Sequence, residues 1–299
     1  MASSIASSWK KNQRALAPIL FLAPGILMFL LYVIFPIFQS ISISFYEWDG
    51  LGDATYVGMR NYVELSDDPD FYVSLKNNVI WLVLYMLALP MGLGIALLLN
   101  QTVFGIRLYK SLFFFPFVIS QVVVGLIFSW FYEPNFGLLN IFLRSLGFEG
   151  VAILTSEDYV TYGIIAAGLW PQTAYVMILY LTGLNAIDPE QIEAARLDKA
   201  KGFSMLWHVI LPQLRPATFI AVVVTVIGAL RSFDLVSIMT RGGPWGSSNV
   251  LAHYMYEMAL SEYGFRMGYG SAIAVVLFLI MLVYISFFLW QMYRQERGL

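Results

Sequence analysis

Six stretches of this chain are apolar for about 20 residues or more, and nothing else limits its fold as strongly. They run from about Ala17 to Phe45, Asn78 to Leu99, Tyr109 to Tyr132, Tyr159 to Leu184, Ala217 to Met239 and Gly268 to Met292. A helix of that length crosses the hydrocarbon core of a bilayer, and there a backbone must satisfy its own hydrogen bonds, as a helix does. The expected fold class is an all-α integral membrane protein with six transmembrane helices. With 12% charged residues, against about 25% in a soluble domain, the 299 residues leave no room for a large soluble portion. A single transmembrane domain over 1–299 is expected. The start has the basic-then-apolar order of a signal peptide, but the apolar run is longer than such a signal needs, so it reads as the first span.

An even number of spans puts both termini on one side. With the N-terminus inside, Lys10, Lys11, Arg14, Arg107, Lys110, Arg196, Lys199, Lys201, Arg215, Arg294 and Arg297 are cytoplasmic, against Arg60, Lys76, Arg144, Arg241 and Arg266 outside. The excess of inner cations places both termini in the cytoplasm. The outer loop from Tyr46 to Lys76 carries Glu47, Asp49, Asp53, Glu64, Asp67, Asp68 and Asp70, a solvated face first and a docking surface second. Trp48, Trp130, Tyr132, Trp245, Trp290 and Tyr293 sit near span ends, where amphipathic rings settle at the headgroups.

Composition also removes function classes. The chain has no Cys, which excludes thiol catalysis, disulfides and the commonest zinc sites. A net charge of −2 without a basic run gives nucleic acid nothing to bind. His208 and His253 fall on opposite sides of the membrane in this topology, cannot share a metal, and read as surface histidines.

The most polar, most densely patterned stretch is Ile187 to Pro216. Asp188 as N-cap, Pro189 at the first helical position, Gln191 reaching back from the third and an Ile187–Ile192 staple mark a helix start. That helix is expected to run to about Lys199 and to break at Gly202. Phe203, Leu206, Trp207, Ile210 and Leu211 then form the apolar stripe of a second helix, ended by Pro212.

Glu193-Ala194-Ala195, Asp198, Ala200, Ile210, Leu211-Pro212 and Pro216 resemble the EAA loop of permease subunits from binding-protein-dependent ABC importers, specifically sugar permeases of the maltose and glycerol-phosphate type. Ser232-Phe233-Asp234-Leu235 with the Arg241–Gly246 loop resembles the family's exit from the fifth span. One departure is Lys199 where the family carries Gly, which moves the expected elbow to Gly202. The resemblance implies cytoplasmic coupling helices between spans 4 and 5, with Glu193, Ala194, Ala195, Asp198, Lys199 and Gly202 engaging an ATP-binding subunit dimer. It also implies a second homologous permease subunit, an extracytoplasmic solute-binding protein, a sugar-like solute and a bacterial inner membrane. ATP and Mg belong to the ATPase partner: the only Gly-rich loop here, Arg241-Gly242-Gly243-Pro244-Trp245-Gly246, lacks the Lys that a phosphate-binding loop needs.

Polar groups at membrane depth are candidates for the solute path. Arg231 and Asp234 stand three apart on one helical face of the fifth span, near its outer half. Insertion costs roughly 3 kcal/mol for each ion at the bilayer centre, so they either pair and reach the outer interface or line the path. In the fourth span, Trp170-Pro171-Gln172-Thr173-Ala174-Tyr175 lies near the midplane, where Pro171 frees a carbonyl. Gln172 and Tyr175 offer an amide and a phenol to hydroxyls and Trp170 an aromatic face; helix-to-helix contact is the alternative use. Gln121 reads as such an interhelical contact. The function expected is the transmembrane subunit of an ATP-driven sugar importer. The alternative is an ion-coupled secondary carrier using Arg231 and Asp234; a membrane enzyme lacks a nucleophile, base and metal cluster.

Overall fold

The structure is a computed structural model that describes residues 17–101, 103–261 and 265–296. Lys10, Lys11, Arg14 and Arg297, four of the cations counted above, lie outside the described residues. The fold is mostly helical. Among the described residues, five helices are long and apolar enough to cross a membrane, and a bent pair could supply a sixth crossing.

The chain forms two compact units. The first holds the described residues up to Leu65 together with Met258–Val275. It begins with α1 (Ala17–Ile43), none of whose apolar window is buried. Next come β1 (Tyr46–Glu47) and β2 (Thr55–Tyr56), paired antiparallel with Tyr46 opposite Tyr56, and the start of α2 (Arg60–Asp67). Asn61 donates to the Ser44 and Tyr46 carbonyls at 2.8 and 3.0 Å, and Arg266 binds both oxygens of Glu64 at 2.6 and 2.7 Å. The expected acidic face is therefore partly spent within the unit. Gly268 must be glycine, since a Cβ there would lie 1.8 Å from the Tyr46 carbonyl.

The second unit holds Ser66–Glu257 and the described residues from Val276. Its helices are α3 (Pro69–Leu99), α4 (Ile106–Val118), α5 (Gln121–Phe131), α6 (Leu138–Ser145), α7 (Val160–Asn185), α8 (Pro189–Leu197), α9 (Gly202–Met205), α10 (Arg215–Leu230), α11 (Asp234–Met239) and the part of α12 (Leu251–Leu260) up to Glu257. The final helix, α13 (Met267–Glu296), runs through both units. α3 and α7 pack closely at Gly92, whose Cβ would meet Val176 at 2.7 Å and the Met177 amide nitrogen at 2.9 Å. One core cluster gathers Trp81, Val124, Ile164, Ile165 and Val236; the other gathers Ala88, Ala96, Val176, Met177, Tyr180 and Leu214.

Three sequence expectations change here. The helix of the second expected span, α3, starts at Pro69, capped by Asp68, well before Asn78. The third expected span is two helices: Ile119 is extended (ψ 141°), Ser120 caps α5, and α4 and α5 meet at 97°. Tyr132 is buried with its hydroxyl donating to the Gly163 carbonyl at 3.1 Å, so it is no interface anchor.

Two π turns share one cause. At Leu30–Ile34 and at Leu206–Ile210 the closing bond runs from Phe35 and Leu211 back five residues, and Pro36 and Pro212 follow immediately. A proline lacks the N–H and its ring crowds the carbonyl four residues earlier; widening the preceding turn relieves that clash. Pro212 therefore does not end its helix, which continues through Leu211–Gln213.

Candidate functional site

The elbow expected between Ile187 and Pro216 forms as its cap predicts. Asp188 is extended (φ −63°, ψ 120°) and its carboxylate accepts the Glu190 amide at 3.0 Å, with Pro189 as the first helical residue. α8 stops at Leu197, two residues short of the expected end, because Lys199 takes a left-handed conformation (φ 63°). The Ala200 amide then bonds the Ala195 carbonyl at 2.9 Å and the Lys199 amide bonds Arg196 at 3.0 Å, which is the six-to-one closure of a Schellman motif. The elbow has not moved to Gly202. It turns first at Lys199, where a glycine would be unstrained, and Gly202 (φ 53°) makes a second turn into α9. Glu193, Ala194 and Asp198 are exposed on α8 and Ala195 is half-buried. Glu193, with Ile187, Ile192, Met205 and Ile210, lines a groove of about 380 Å³.

Both solute candidates fall on one cavity. Gln172 and Tyr175 from α7, Arg231 and Asp234 from either side of the α10–α11 break, Gln121 from α5 and Tyr85 from α3 line a space of about 400 Å³. Arg231 and Asp234 do not share a helical face, since α10 ends at Leu230 and α11 begins at Asp234. Both are exposed, and no ion pair joins them among the described residues. Pro171 is absorbed inside α7 without a break. Gln172 Nε2 donates to Thr225 Oγ1 at 2.9 Å, so its amide serves interhelical contact and cavity at once. Tyr175 stacks on Phe117, ring centroids 4.8 Å apart at 14°. Trp170 is not among the lining residues; its ring meets Phe128 edge-on. Gln121, read as an interhelical contact, faces the cavity, and its Oε1 is buried without a hydrogen-bond partner.

The loop after α11 is tied down by residues that sequence reasoning missed. Asn77 Nδ2 donates to the Ser247 and Asn249 carbonyls, each at 2.7 Å, and Asn78 Oδ1 accepts the Leu251 amide at 2.8 Å. Asn249 turns its side chain to Glu257 at 2.9 Å and to His253 Nδ1 at 2.6 Å. His253 is thus buried, not superficial, and its pKa is lowered by desolvation, opposed by the nearby Glu257 carboxylate. His208 is exposed as expected.

Residues 79–297 match the family described as the binding-protein-dependent transport system inner membrane component. The chain belongs to that family. Such a permease is a transport component, not an enzyme. It is similar to the probable ABC transporter permease protein YurN of Bacillus subtilis, 37% identical over 91% of this chain and 94% of the relative. The sulfoquinovosyl glycerol transport system permease protein SmoG of Agrobacterium fabrum is 34% identical over 90% and 88%. Among solved structures, a bacterial ABC transporter involved in the import of the acidic polysaccharide alginate shares the permease fold, with a TM-score of 0.83 at 23% identity, covering 96% of this chain and 98% of that one.

Proposed function

We propose that this permease is one transmembrane subunit of an ATP-driven importer that takes a sugar or sugar-like solute from an extracytoplasmic binding protein and passes it across a bacterial inner membrane. The observation that carries this reading is the convergence of Gln121, Gln172, Tyr175, Arg231 and Asp234 on one cavity. Amides and a phenol suit hydroxyls, and the Tyr175 ring, braced by Phe117, supplies the apolar face first assigned to Trp170. The names of SmoG and of the alginate importer support a carbohydrate-like solute, and that importer is known with an alginate pentasaccharide-bound periplasmic protein.

In this reading the chain is one permease domain of six spans, the bent α4–α5 pair counting as one, with both termini cytoplasmic. A second homologous permease subunit completes the pathway, and ATP with Mg is hydrolysed on a separate ATPase dimer. That dimer engages Glu193, Ala194, Ala195 and Asp198 on α8 and drives the elbow at Lys199 and Gly202, switching the cavity between outward and inward access. An ion-coupled carrier is not favoured, because Arg231 and Asp234 do not pair and because it gives the capped, exposed α8 nothing to do.

Uptake by the assembled complex tests the cavity. Arg231→Gln stops transport of an anionic solute and is mild for a neutral one, while Asp234→Asn is mild in both cases. Normal uptake in these variants and in Gln172→Ala alike would take the cavity off the solute path. Glu193→Lys tests the partner: the subunit inserts, but solute-stimulated ATP hydrolysis is lost.

A further inference from the structure

The expected apolar stripe of the elbow's second half is split between two faces. Leu206, Ile210 and Leu211 are half-buried, and Ile210 packs against the core cluster that includes Leu184 and Leu214. Phe203 and Trp207, one turn apart, are instead 74% and 57% exposed and stack on each other, with centroids 5.8 Å apart at 17°. Charge is split as well. The exposed groups at the start of α8 are the acids Asp188, Glu190 and Glu193, whereas Arg196, Lys199, Lys201 and Arg215 outweigh the lone acid Asp198 across the elbow and beyond it. The two halves of the lever therefore suit different partners. The basic, aromatic half leads directly into α10, the first part of the stretch Arg215–Met239 that is long and apolar enough to cross a membrane, so its outward rings stand at the mouth of that candidate span.

We propose that residues 199–213 form a membrane-surface anchor that binds anionic phospholipid headgroups, with Phe203 and Trp207 entering the acyl boundary and Lys199 and Lys201 on the phosphates. Exposed rings supply insertion, and lysines on flexible stems reach the phosphate layer. Each lysine near an anionic surface strengthens binding about fivefold, so the two together contribute about 25-fold. The elbow is then held between bilayer and ATPase, and its transmission depends on lipid charge; this second statement rests on the proposed ATPase contact of α8.

The absence of Cys allows a single spin label at Ser204→Cys, beside the ring pair. The assembled complex is placed in nanodiscs of phosphatidylcholine alone or of equal parts phosphatidylcholine and phosphatidylglycerol, with and without its ATPase. The label is expected at headgroup depth, more accessible to oxygen than to a water-soluble nickel chelate, with or without the ATPase. Lys199→Gln with Lys201→Gln, and separately Phe203→Ser with Trp207→Ser, should return it to water, and stimulated ATP hydrolysis should fall severalfold in phosphatidylcholine alone. A label in water in the anionic bilayer, or shielded only when the ATPase is bound, would overturn the anchor. Headgroup depth combined with normal coupling in Glu193→Lys would instead keep the anchor and reject the ATPase reading.

Discussion

Gln172 Nε2 donates to Thr225 Oγ1 at 2.9 Å across α7 and α10, which leaves the Gln172 carbonyl oxygen and the second N–H of its amide for the cavity. That oxygen is an acceptor and recognises a solute hydroxyl as a donor. Gln172→Ala removes it together with the bridge, and uptake should fall about 5- to 150-fold, the worth of a desolvated hydrogen bond of about 1–3 kcal/mol. Thr225→Val removes only the bridge partner and frees the amide, so it should weaken uptake less. Uptake normalised to assembled complex separates the two; equal losses would assign Gln172 to helix contact alone.

The left-handed Lys199 predicts a gain on substitution. A non-glycine residue in that conformation costs about 1–2 kcal/mol, and Lys199→Gly relieves most of it, offset by the greater freedom of an unfolded glycine. Thermal unfolding of the purified subunit in neutral detergent should shift upward by an amount near 1 kcal/mol. A downward shift would mean that the lysine side chain makes a stabilising contact that outweighs the strain.

Two glycines on α3 should behave oppositely. Gly92→Ala drives a methyl against the Met177 backbone, which cannot yield without separating α3 from α7, and should destabilise by about 1–3 kcal/mol. Gly94→Ala meets nothing within 4 Å and should be neutral or slightly stabilising through helix propensity. Paired thermal unfolding measurements check the contrast.

Buried His253 carries a pH dependence. Burial lowers its pKa, so the folded state favours the neutral ring and the unfolded state takes up a proton first. Stability is fully present above the unfolded pKa of about 6.5 and is lost as pH falls through the lower folded value. The unfolding midpoint should decline on that acid side in wild type, and the decline should shrink in His253→Gln. An unchanged acid limb in the variant would assign it to other groups, such as Asp49 or Glu133. Both carboxyls are held low, Asp49 mainly by the Leu51 amide and Glu133 mainly by the Phe136 amide.

The sequence made the apolar helices and the start of α8 legible because their signals are local: a long run of low transfer cost, and Asp188-Pro189 at a chain entry. What it concealed was direction. Hydropathy over Tyr109–Tyr132 is blind to a 97° turn that needs only Ile119 to become extended; Pro116 and the capping Ser120 were the available signs. The same blindness hid the break at Arg231–Phe233, which turns an apparent ion pair into two separate cavity groups. His253 looked superficial because a histidine in a connecting loop usually is. Asn249, His253 and Glu257, spaced by four, marked a polar helix face that needed burial against Asn77 to make sense. Trp170 could not be placed, since rotation of α7 about its axis depends on neighbours such as Phe128.

The clamp of Asn77 and Asn78 on the loop after α11 has a mechanical consequence. It pins the chain just beyond α11 to α3, while the Arg215 end of α10 adjoins the elbow. A helix of 16 residues is about 24 Å long, so a tilt of ten degrees about its pinned end would carry the other end about 4 Å. With the far end held, that rotation has to be taken up at the non-helical joint Arg231–Phe233. If the elbow is driven as proposed, the joint is a fulcrum with the two charged groups of the cavity mounted on it: a stroke at the elbow would arrive there as a turn of Arg231 against Asp234, with little travel but a change of aim.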